Sequence, residues 1–190
     1  MCVFCYKSNK KSVIGGLVIK ILDFFLKAGK LKQIKRKGWL RQGIPQPESV
    51  ADHCFRTTLI ALIIGTKLNL NLERLLQLAI IHDLAESIVG DITPYDQEYD
   101  QKIQKEVHAI KSLETQVNIG LLELWRDYEE GKSKEAEICR QIDKFEMILQ
   151  AYEYENEVNA NFEEFWQSEK EITHPILRKM IDELKVKRKK

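Results

Sequence analysis

The segment IIHDLAESIVGDI, residues 80 to 92, has the apolar pattern of a buried helix but carries His82, Asp83, Glu86 and Asp91. An ionised carboxylate in an apolar setting must be paired, protonated or bound to a metal. His82 and Asp83 are adjacent, so on a helix their directions differ by about 100° and both reach one point only at the helix edge. Glu86 follows one turn later on the same side, about 5 to 6 Å away. This spacing suits a metal ion bound by His82 and Asp83, with the Glu86 carboxylate beside it.

Two more polar residues are expected to face inwards from other helices. His53 lies on the flank of an apolar stripe, and Asp143 lies inside AEICRQIDKFEMILQAYEYE among apolar neighbours. Each has an ordinary structural interpretation when taken singly. A histidine beside a core is commonly a hydrogen-bonded structural group, and Asp143 has Lys144, Arg140 or a distant arginine as salt-bridge partners.

The combination of these residues favours a metal site over the separate structural interpretations. Two histidines and two aspartates, His53, His82, Asp83 and Asp143, form a set of nitrogen and oxygen ligands suited to one divalent ion such as Mn, Fe, Co, Ni or Zn. The two negative charges balance the ion. Four protein ligands also leave open positions on a six-coordinate metal, which water or a substrate can take.

The elements that must bring these residues together are helices, because apolar residues recur at spacings of three and four and almost no alternating pattern is present. Ser49 with Asp52 predicts a capping box for a helix that runs to about residue 68. Asn71 is the predicted N-cap of the next helix, which continues until Gly90 breaks it. Further helices are predicted near 99 to 118, 119 to 130, 134 to 156 and 173 to 187.

The length and composition predict a single all-α domain over residues 1–190, a compact helical bundle. Its core is expected at about 14–157, followed by a C-terminal helix and basic tail at about 173–190.

The charges are unevenly distributed along the chain. The net charge is +1, but residues 24 to 47 contain no acidic residue and seven Lys or Arg residues. This basic stretch either steers an anionic ligand or is a solvated face. Nucleic-acid binding is not expected, because no base-reading motif accompanies it.

The four cysteines, Cys2, Cys5, Cys54 and Cys139, are too few and too scattered for a disulfide framework. A reducing cytoplasm is therefore the expected compartment. The Cys2 and Cys5 pair has CxxC spacing, but a structural zinc needs two more soft ligands and no second pair exists. A metal is not expected there.

The most apolar segment, residues 13 to 28, is interrupted by Lys20 and Asp23 and is too short for a bilayer span. No membrane association is expected. Its apolar residues follow helical spacing and predict an amphipathic helix that packs on the domain: Val18, Ile21, Leu22 and Phe25.

Three ordered motifs carry a family resemblance: the segments GWLRQGIPQPESVADH, HDLAESIVGDI and IDKFEMILQAYEYE. Together they contain an H…HD…D signature. The chain thereby resembles the HD-domain superfamily of metal-dependent phosphohydrolases, and most closely its 5′-deoxynucleotidase branch, over residues 30 to 156. The resemblance implies a compact helical bundle, usually a homodimer, that hydrolyses deoxyribonucleoside 5′-monophosphates to deoxynucleoside and phosphate.

The resemblance assigns the four ligands named above to one divalent metal and places Glu86 and Asp91 beside the phosphate. A bound metal would activate water and hold a phosphoryl oxygen. Glu86 is the expected general base or water-positioning group. Asp91 is expected to protonate the departing 5′ oxygen, or to orient an acid or water that does.

The resemblance also names residues for the sugar and the phosphate. Trp39 matches a family tryptophan that packs near the sugar and disfavours a 2′-hydroxyl. In some relatives an arginine that binds phosphate precedes this tryptophan, whereas Gly38 stands here. Arg36 or Arg41 is therefore expected to bind the phosphate in its place.

Two kinds of alternative remain open at this point. Other HD phosphohydrolases act on cyclic nucleotides or on guanosine alarmones, and those with two metals usually add histidines to the core set. Here only His108 and His174 are left over, in no matching motif, which favours one metal. The second alternative is a metal-stabilised module that binds nucleotide without turnover.

Overall fold

A computed structural model describes residues 3–158 and 160–188, and within these ranges the chain is helical and contains no strand. The all-α prediction is therefore confirmed. The predicted CxxC pair cannot be followed, since Cys2 and the Cys5 side chain lie outside the described residues. The α-helices are α1 Val3–Ala28, α2 Lys37–Arg41, α3 Val50–Lys67, α4 Leu72–Ile81, α5 Glu86–Val89, α6 Lys102–Val117, α7 Leu121–Glu130, α8 Lys134–Val158, α9 Glu163–Trp166 and α10 Pro175–Arg188.

The caps of α3 and α4 agree with the sequence prediction. The Ser49 hydroxyl accepts the Asp52 N–H at 3.2 Å, and Asp52 Oδ2 accepts the Ser49 N–H at 2.8 Å. Asn71 Oδ1 accepts the Arg74 N–H at 3.1 Å. Each cap satisfies backbone donors that the first helical turn leaves free. Sequence-local chemistry thus fixes where the helix that carries His53 and the helix that directly precedes His82 begin.

The prediction that α4 continues to Gly90 is wrong, because the regular helix ends at Ile81. The following turns are tighter: the Leu84 N–H bonds the Ile81 carbonyl, and the Glu86 N–H bonds the Asp83 carbonyl, both at 3.0 Å. Bonds of this three-residue spacing wind the chain more tightly than an α-helix does. Asp83 and Glu86 therefore point in directions that an uninterrupted helix would not give.

The core is formed where α3, α4 and α8 pack together, and α8 also contacts α7, α9 and α10. A close approach of α3 and α4 requires Gly65, since a Cβ there would lie 2.6 Å from Leu75 Cδ2. Fully buried aliphatic side chains fill the space between these helices, among them Leu75, Leu78, Ile142 and Ile148. The three helices that carry or directly precede His53, His82 and Asp143 are thereby held against one another.

The predicted amphipathic helix exists as the second half of α1, but the expectation that its apolar stripe packs on the domain is wrong for a single chain. Val18, Leu22 and Phe25 are more than half exposed, and Ile21 is partly buried. The reason is the position of α1, which meets the rest of the chain mainly along α6. In the described part of the chain, no helix combines the length and the apolar character that a bilayer crossing needs.

Candidate metal centre and active site

Four side chains from three separate parts of the fold converge on one point. His53 projects from α3, His82 and Asp83 follow the end of α4, and Asp143 comes from α8. The two histidine Nε2 atoms lie 3.1 Å apart. His53 Nε2 lies 3.1 Å from Asp143 Oδ1, and His82 Nε2 lies 3.2 Å from Asp83 Oδ2. The sequence prediction that these four residues meet agrees with this geometry.

The separations fit a single cation. Metal bonds to histidine and carboxylate ligands are about 2.0 to 2.2 Å long, so two donors on one ion lie about 3.0 Å apart at 90° and about 3.4 Å apart at 109°. The distances above and the 3.6 Å between His53 Nε2 and Asp83 Oδ2 lie at or near this range. A divalent ion of the borderline group would therefore be held by His53, His82, Asp83 and Asp143 without rearrangement of the backbone.

The electrostatics of the cluster favour positive charge. Burial and the nearby Arg36 would lower the pKa of His53, but Glu146 and Asp143 raise it to about 10. Burial alone would raise the pKa of Asp143, yet its hydrogen bond with His53 and the positive charge of Lys144 hold it well below the usual value. The cluster thus attracts positive charge, which a bound divalent cation would also supply.

The two histidines are oriented by different partners at Nδ1. His82 Nδ1 lies 2.9 Å from the Ala79 carbonyl oxygen, which accepts a hydrogen bond from it. His53 Nδ1 meets the carboxylate of Glu146, a buried residue that the sequence analysis missed. Its position three residues after Asp143 on the same helix was the available signal. In both rings Nε2 is left facing the cluster.

Two further residues beside the cluster were also missed. The Tyr128 hydroxyl donates to Asp143 Oδ2 at 3.1 Å and so orients that carboxylate. The Cys54 sulfur lies within 4.8 Å of donor atoms of His82 and Asp83. Burial and the carboxylate of Asp83 raise the pKa of the Cys54 thiol well above its ordinary value, which keeps it protonated.

Glu86 stands next to the cluster in an unusual environment. Its carboxyl is buried, and among the described residues Oε2 has no hydrogen-bond partner. Burial and the negative charges of Asp83 and Asp91 raise the pKa of Glu86 well above its usual value. A carboxyl with a free oxygen and a high proton affinity is equipped to take a proton from a neighbouring molecule.

The cluster opens onto a cavity of about 560 Å³. Asp83, Glu86, Asp91 and Asp143 line it, whereas the two histidines are buried and do not. Five basic side chains also line the cavity: Arg36, Arg41, Lys102, Arg140 and Lys144. A cavity of this size, with a cation site at one wall and basic groups around it, can accept a small anionic molecule.

The structure brings Arg36 and Arg41 to the cavity but also pairs each with an acid. Arg36 Nη1 lies 3.5 Å from Asp83 Oδ2. Arg41 pairs with Glu164 and lies 3.5 Å above the Tyr95 ring. Either arginine would have to share or exchange these partners in order to bind an anion.

Trp39 lines the cavity and is at the same time a core residue. It is 1% exposed, stacks on Phe165 at 4.0 Å, and donates from Nε1 to Glu48 Oε1 at 3.1 Å. The aromatic stack fixes the ring firmly. The wall that it forms is therefore rigid.

Comparisons with known proteins found a matching family model and similar chains. A family model described as HD domain matches residues 28–185. The 5′-deoxynucleotidase HDDC2 of Dictyostelium discoideum is 36% identical over 186 residues, which cover 88% of this chain and 98% of that protein. The human protein of the same name is 37% identical over 176 residues, 88% and 86% of the two chains. The solved structure of a conserved hypothetical protein from Pyrococcus furiosus has a TM-score of 0.76 at 38% identity. The match covers 86% of this chain and 98% of that chain.

The family model spans most of the sequence, and the relatives align over nearly their whole length. The helical fold and the ordered histidine and aspartate residues point in the same direction. The chain therefore belongs to the HD-domain family.

Proposed function

We propose that the protein is a metal-dependent 5′-deoxynucleotidase, which hydrolyses deoxyribonucleoside 5′-monophosphates to deoxynucleoside and phosphate. The observation that carries the proposal is the meeting of His53, His82, Asp83 and Asp143 at the wall of a 560 Å³ cavity with Glu86 beside them. The curated relatives named 5′-deoxynucleotidase, at 36 to 38% identity over most of this chain, support the same activity.

The chemistry requires an activated water and compensation for the phosphate charge. A divalent ion supplies both when bound, by acidifying water and by polarising a phosphoryl oxygen. Glu86 accepts the proton of the attacking water, because its free Oε2 faces no other hydrogen-bond donor among the described residues. The water oxygen forms a bond to phosphorus as the bond from phosphorus to the 5′ oxygen breaks. The departing 5′ oxygen is then protonated.

Asp91 is the second acid proposed to act in this step. Its Oδ2 accepts the backbone N–H of Lys37 at 2.6 Å, so this oxygen already serves as a fixed hydrogen-bond acceptor. We therefore assign to Asp91 the orienting part of its expected role: it holds the group or the water that protonates the 5′ oxygen.

For substrate recognition we propose Trp39 as the wall that excludes a 2′-hydroxyl, and Arg36 and Arg41 as phosphate-binding groups. Because both arginines are paired with acids, Lys102 and Lys144 of the same cavity are proposed to share the phosphate charge. Like Arg36, Lys102 has an acidic neighbour, Glu106, at 3.7 Å. The basic wall thus matches a dianion in charge.

We propose one divalent ion for each chain, of the group Co, Mn, Fe, Ni and Zn. The two histidine and two carboxylate ligands suit all of these metals. The four proposed ligands lie around His53 Nε2 and His82 Nε2, which are 3.1 Å apart, and this closeness supports one ion over two.

We also propose that the protein is a homodimer. The exposed stripe of α1 described above has a counterpart on α3: Phe55, Leu59, Leu62 and Ile63. Phe55 is 72% exposed, which is costly for a large aromatic side chain in water. Helix faces of this kind are covered when two copies associate.

The proposed compartment is the cytoplasm. The buried cysteines Cys54 and Cys139 are free thiols, and a reducing environment preserves such thiols.

The decisive experiment is a hydrolysis assay on protein that has been stripped of metal and reloaded with Mn, Co, Ni or Zn. Phosphate release is measured with dAMP, dGMP, dCMP, TMP and AMP, and with cyclic AMP as a phosphodiester. We expect metal-dependent release from the deoxynucleotides, little from AMP, and none from the diester. Tight nucleotide binding without release in every metal form would identify a binding module and overturn the proposal.

A further inference from the structure

A buried carboxylate stands behind the metal cluster, on the side away from the cavity. Glu146 is fully buried on α8, one turn beyond Asp143, and its Oε2 meets His53 Nδ1. It is not among the residues that line the cavity. It therefore has no contact with a substrate there, and its hydrogen bond to the cluster is the one to His53.

Glu146 is itself fixed by a second set of contacts. Arg56 on α3 donates from Nε to Glu146 Oε1 at 2.9 Å. The same guanidinium donates to Gln150 Oε1 and to Glu153 Oε2, both at 2.6 Å. Each oxygen of the Glu146 carboxylate thus has one partner, a histidine on one side and an arginine on the other. A buried charge is tolerated only when it is satisfied in this way.

We propose that Glu146 is a positioning residue of the metal centre: it holds a proton on His53 Nδ1, so that Nε2 presents its lone pair to the cation, and Arg56 fixes it in that place. The inference rests on the proposed function in that it takes His53 as a metal ligand. A neutral imidazole carries one N–H, and the group that accepts this proton decides which nitrogen remains free. A carboxylate acceptor also makes the opposite nitrogen more basic.

The two histidines differ in this respect. His82 Nδ1 faces the backbone carbonyl of Ala79, whereas His53 Nδ1 faces a carboxylate that also accepts a hydrogen bond from Arg56. Glu146 therefore adds a third negative charge close to the two carboxylate ligands. Of the two histidines, His53 is therefore expected to have the more basic Nε2 and to bind a cation more strongly. Metal affinity should then depend on Glu146.

The test is a titration of the metal-stripped full-length protein with Co²⁺ alone, followed by visible absorption of the bound ion. Glu146→Gln keeps the side-chain shape and a hydrogen-bond acceptor but removes the charge. We expect the Co²⁺ affinity to fall about 10- to 100-fold, as is typical for groups that orient a metal-binding histidine. The thermal midpoint of the metal-free protein shows whether the variant is folded.

Glu153→Gln is the matched control, because Glu153 binds the same arginine from the same helix but is partly exposed and does not touch His53. Its Co²⁺ affinity is expected to change by less than about fivefold. Wild-type affinity in a folded Glu146→Gln protein would overturn the proposal, as would an equal loss in both variants.

If Glu146→Gln does not fold, Arg56→Gln carries the test, since Arg56 fixes Glu146 without touching His53. An affinity loss of about threefold or more is expected, and unchanged affinity would overturn the proposal. These titrations contain no nucleotide. A failure of the deoxynucleotidase assay therefore leaves their result intact, and a failure here leaves the proposed activity intact.

Discussion

The backbone N–H of Lys37 donates a hydrogen bond of 2.6 Å to Asp91 Oδ2, across 54 positions of sequence. Lys37 is the first residue of α2, and the residue before it, Arg36, provides no side-chain cap. Asp91 therefore acts as the missing cap and satisfies a donor that the helix start leaves free. The bond ties Asp91 to the start of α2, with Arg36 directly before this helix and Trp39 within it.

This relationship predicts different results for two substitutions of Asp91. Asp91→Asn still accepts the Lys37 N–H, so kcat should stay within about tenfold of the wild type, whereas loss of a proton donor costs 10²- to 10⁴-fold. Asp91→Ala removes the cap, and KM for dAMP should rise together with a loss of about 1 kcal/mol of stability. Steady-state kinetics and urea unfolding measure these effects.

A matched control is Asp96→Asn, since Asp96 lies on the same loop and accepts the Thr93 N–H at 2.7 Å. It is expected to leave kcat unchanged. An equal collapse of kcat in Asp91→Asn and Asp91→Ala would instead make Asp91 the proton donor to the 5′ oxygen.

Glu86→Gln should abolish most turnover while the metal stays bound. The amide cannot take a proton from water, so kcat should fall about 10²- to 10⁴-fold. Metal content of the purified variant, measured by elemental analysis, should equal that of the wild type, because Glu86 is not one of the four converging residues. Glu171→Gln is the control, since Glu171 lines the same cavity but is exposed. Wild-type turnover in Glu86→Gln would remove Glu86 from catalysis.

The sequence was sufficient for the parts of the site that depend on residue type. The two histidines and two aspartates favour a cation only when taken together, and the structure brings their donor atoms near one another: His53 Nε2 lies 3.1 Å from His82 Nε2 and from Asp143 Oδ1, and His82 Nε2 lies 3.2 Å from Asp83 Oδ2. The end of α4 at Ile81 could not be predicted, because Leu84, Ala85 and Glu86 are good helix formers and no Gly or Pro lies between Ile81 and Gly90. The tighter turns there arise from tertiary packing.

The partners of the site were harder to predict than its ligands. Glu146 and Arg56 are 90 residues apart, and a single sequence contains no signal that pairs them. Similarly, the helical spacing of Val18, Leu22 and Phe25 predicts an apolar face but does not reveal what covers it. Which charged residues pair, and what covers an apolar helix face, depends on the tertiary and quaternary structure. The periodicity of the sequence does not encode either.

Removal of any direct ligand should eliminate the metal together with the activity. For His53→Ala, Asp83→Ala and Asp143→Ala we expect metal affinity to fall by more than the roughly 100-fold that loss of an orienting group costs at most. Titration of the stripped proteins with Mn²⁺ or Co²⁺ measures this. His108→Ala is the control, because His108 is exposed and outside the cluster. Full metal occupancy in any of the three variants would exclude that residue as a ligand.

Substitution of Trp39 should relax the discrimination between deoxyribonucleotides and ribonucleotides. Trp39→Ala is a poor probe, since loss of a buried tryptophan costs about 3 to 5 kcal/mol. Trp39→Phe retains most of the stack on Phe165 but shortens the wall and removes the donor to Glu48. The ratio of kcat/KM for dAMP to that for AMP should fall.

Trp166→Phe controls for the loss of a buried tryptophan as such. Trp166 is 2% exposed and donates to Glu155 at 3.2 Å, but it does not line the cavity. Its substitution should leave the substrate ratio at the wild-type value. An unaltered ratio in Trp39→Phe as well would make Trp39 a packing residue without a part in selectivity.

Asp127 links α7 to the start of α8 and should make stability depend on pH. Its carboxylate accepts the Ser133 N–H at 2.9 Å and two donors of Arg74 at 2.6 and 3.0 Å. Burial alone would raise the pKa of Asp127, but the hydrogen bond from the Ser133 hydroxyl at 2.8 Å, together with the bonds from Arg74 and the Ser133 N–H, holds it below the ordinary value of 3.8. A depressed pKa adds stability that is present above the unfolded-state pKa and is lost as the pH falls through the native one.

Asp127→Asn should therefore lower the free energy of unfolding at neutral pH by about 1.5 to 3 kcal/mol, the contribution of charged hydrogen bonds. The difference from the wild type should shrink as the pH falls through the native pKa of Asp127, below 3.8, because the carboxyl group then becomes neutral like the amide. Urea unfolding across this range measures it. Glu130→Gln, at the exposed end of the same helix, should change stability by less than about 1 kcal/mol at every pH. A difference for Asp127→Asn that stays constant down to the acid limit would show that shape, and not charge, makes the contact stabilising.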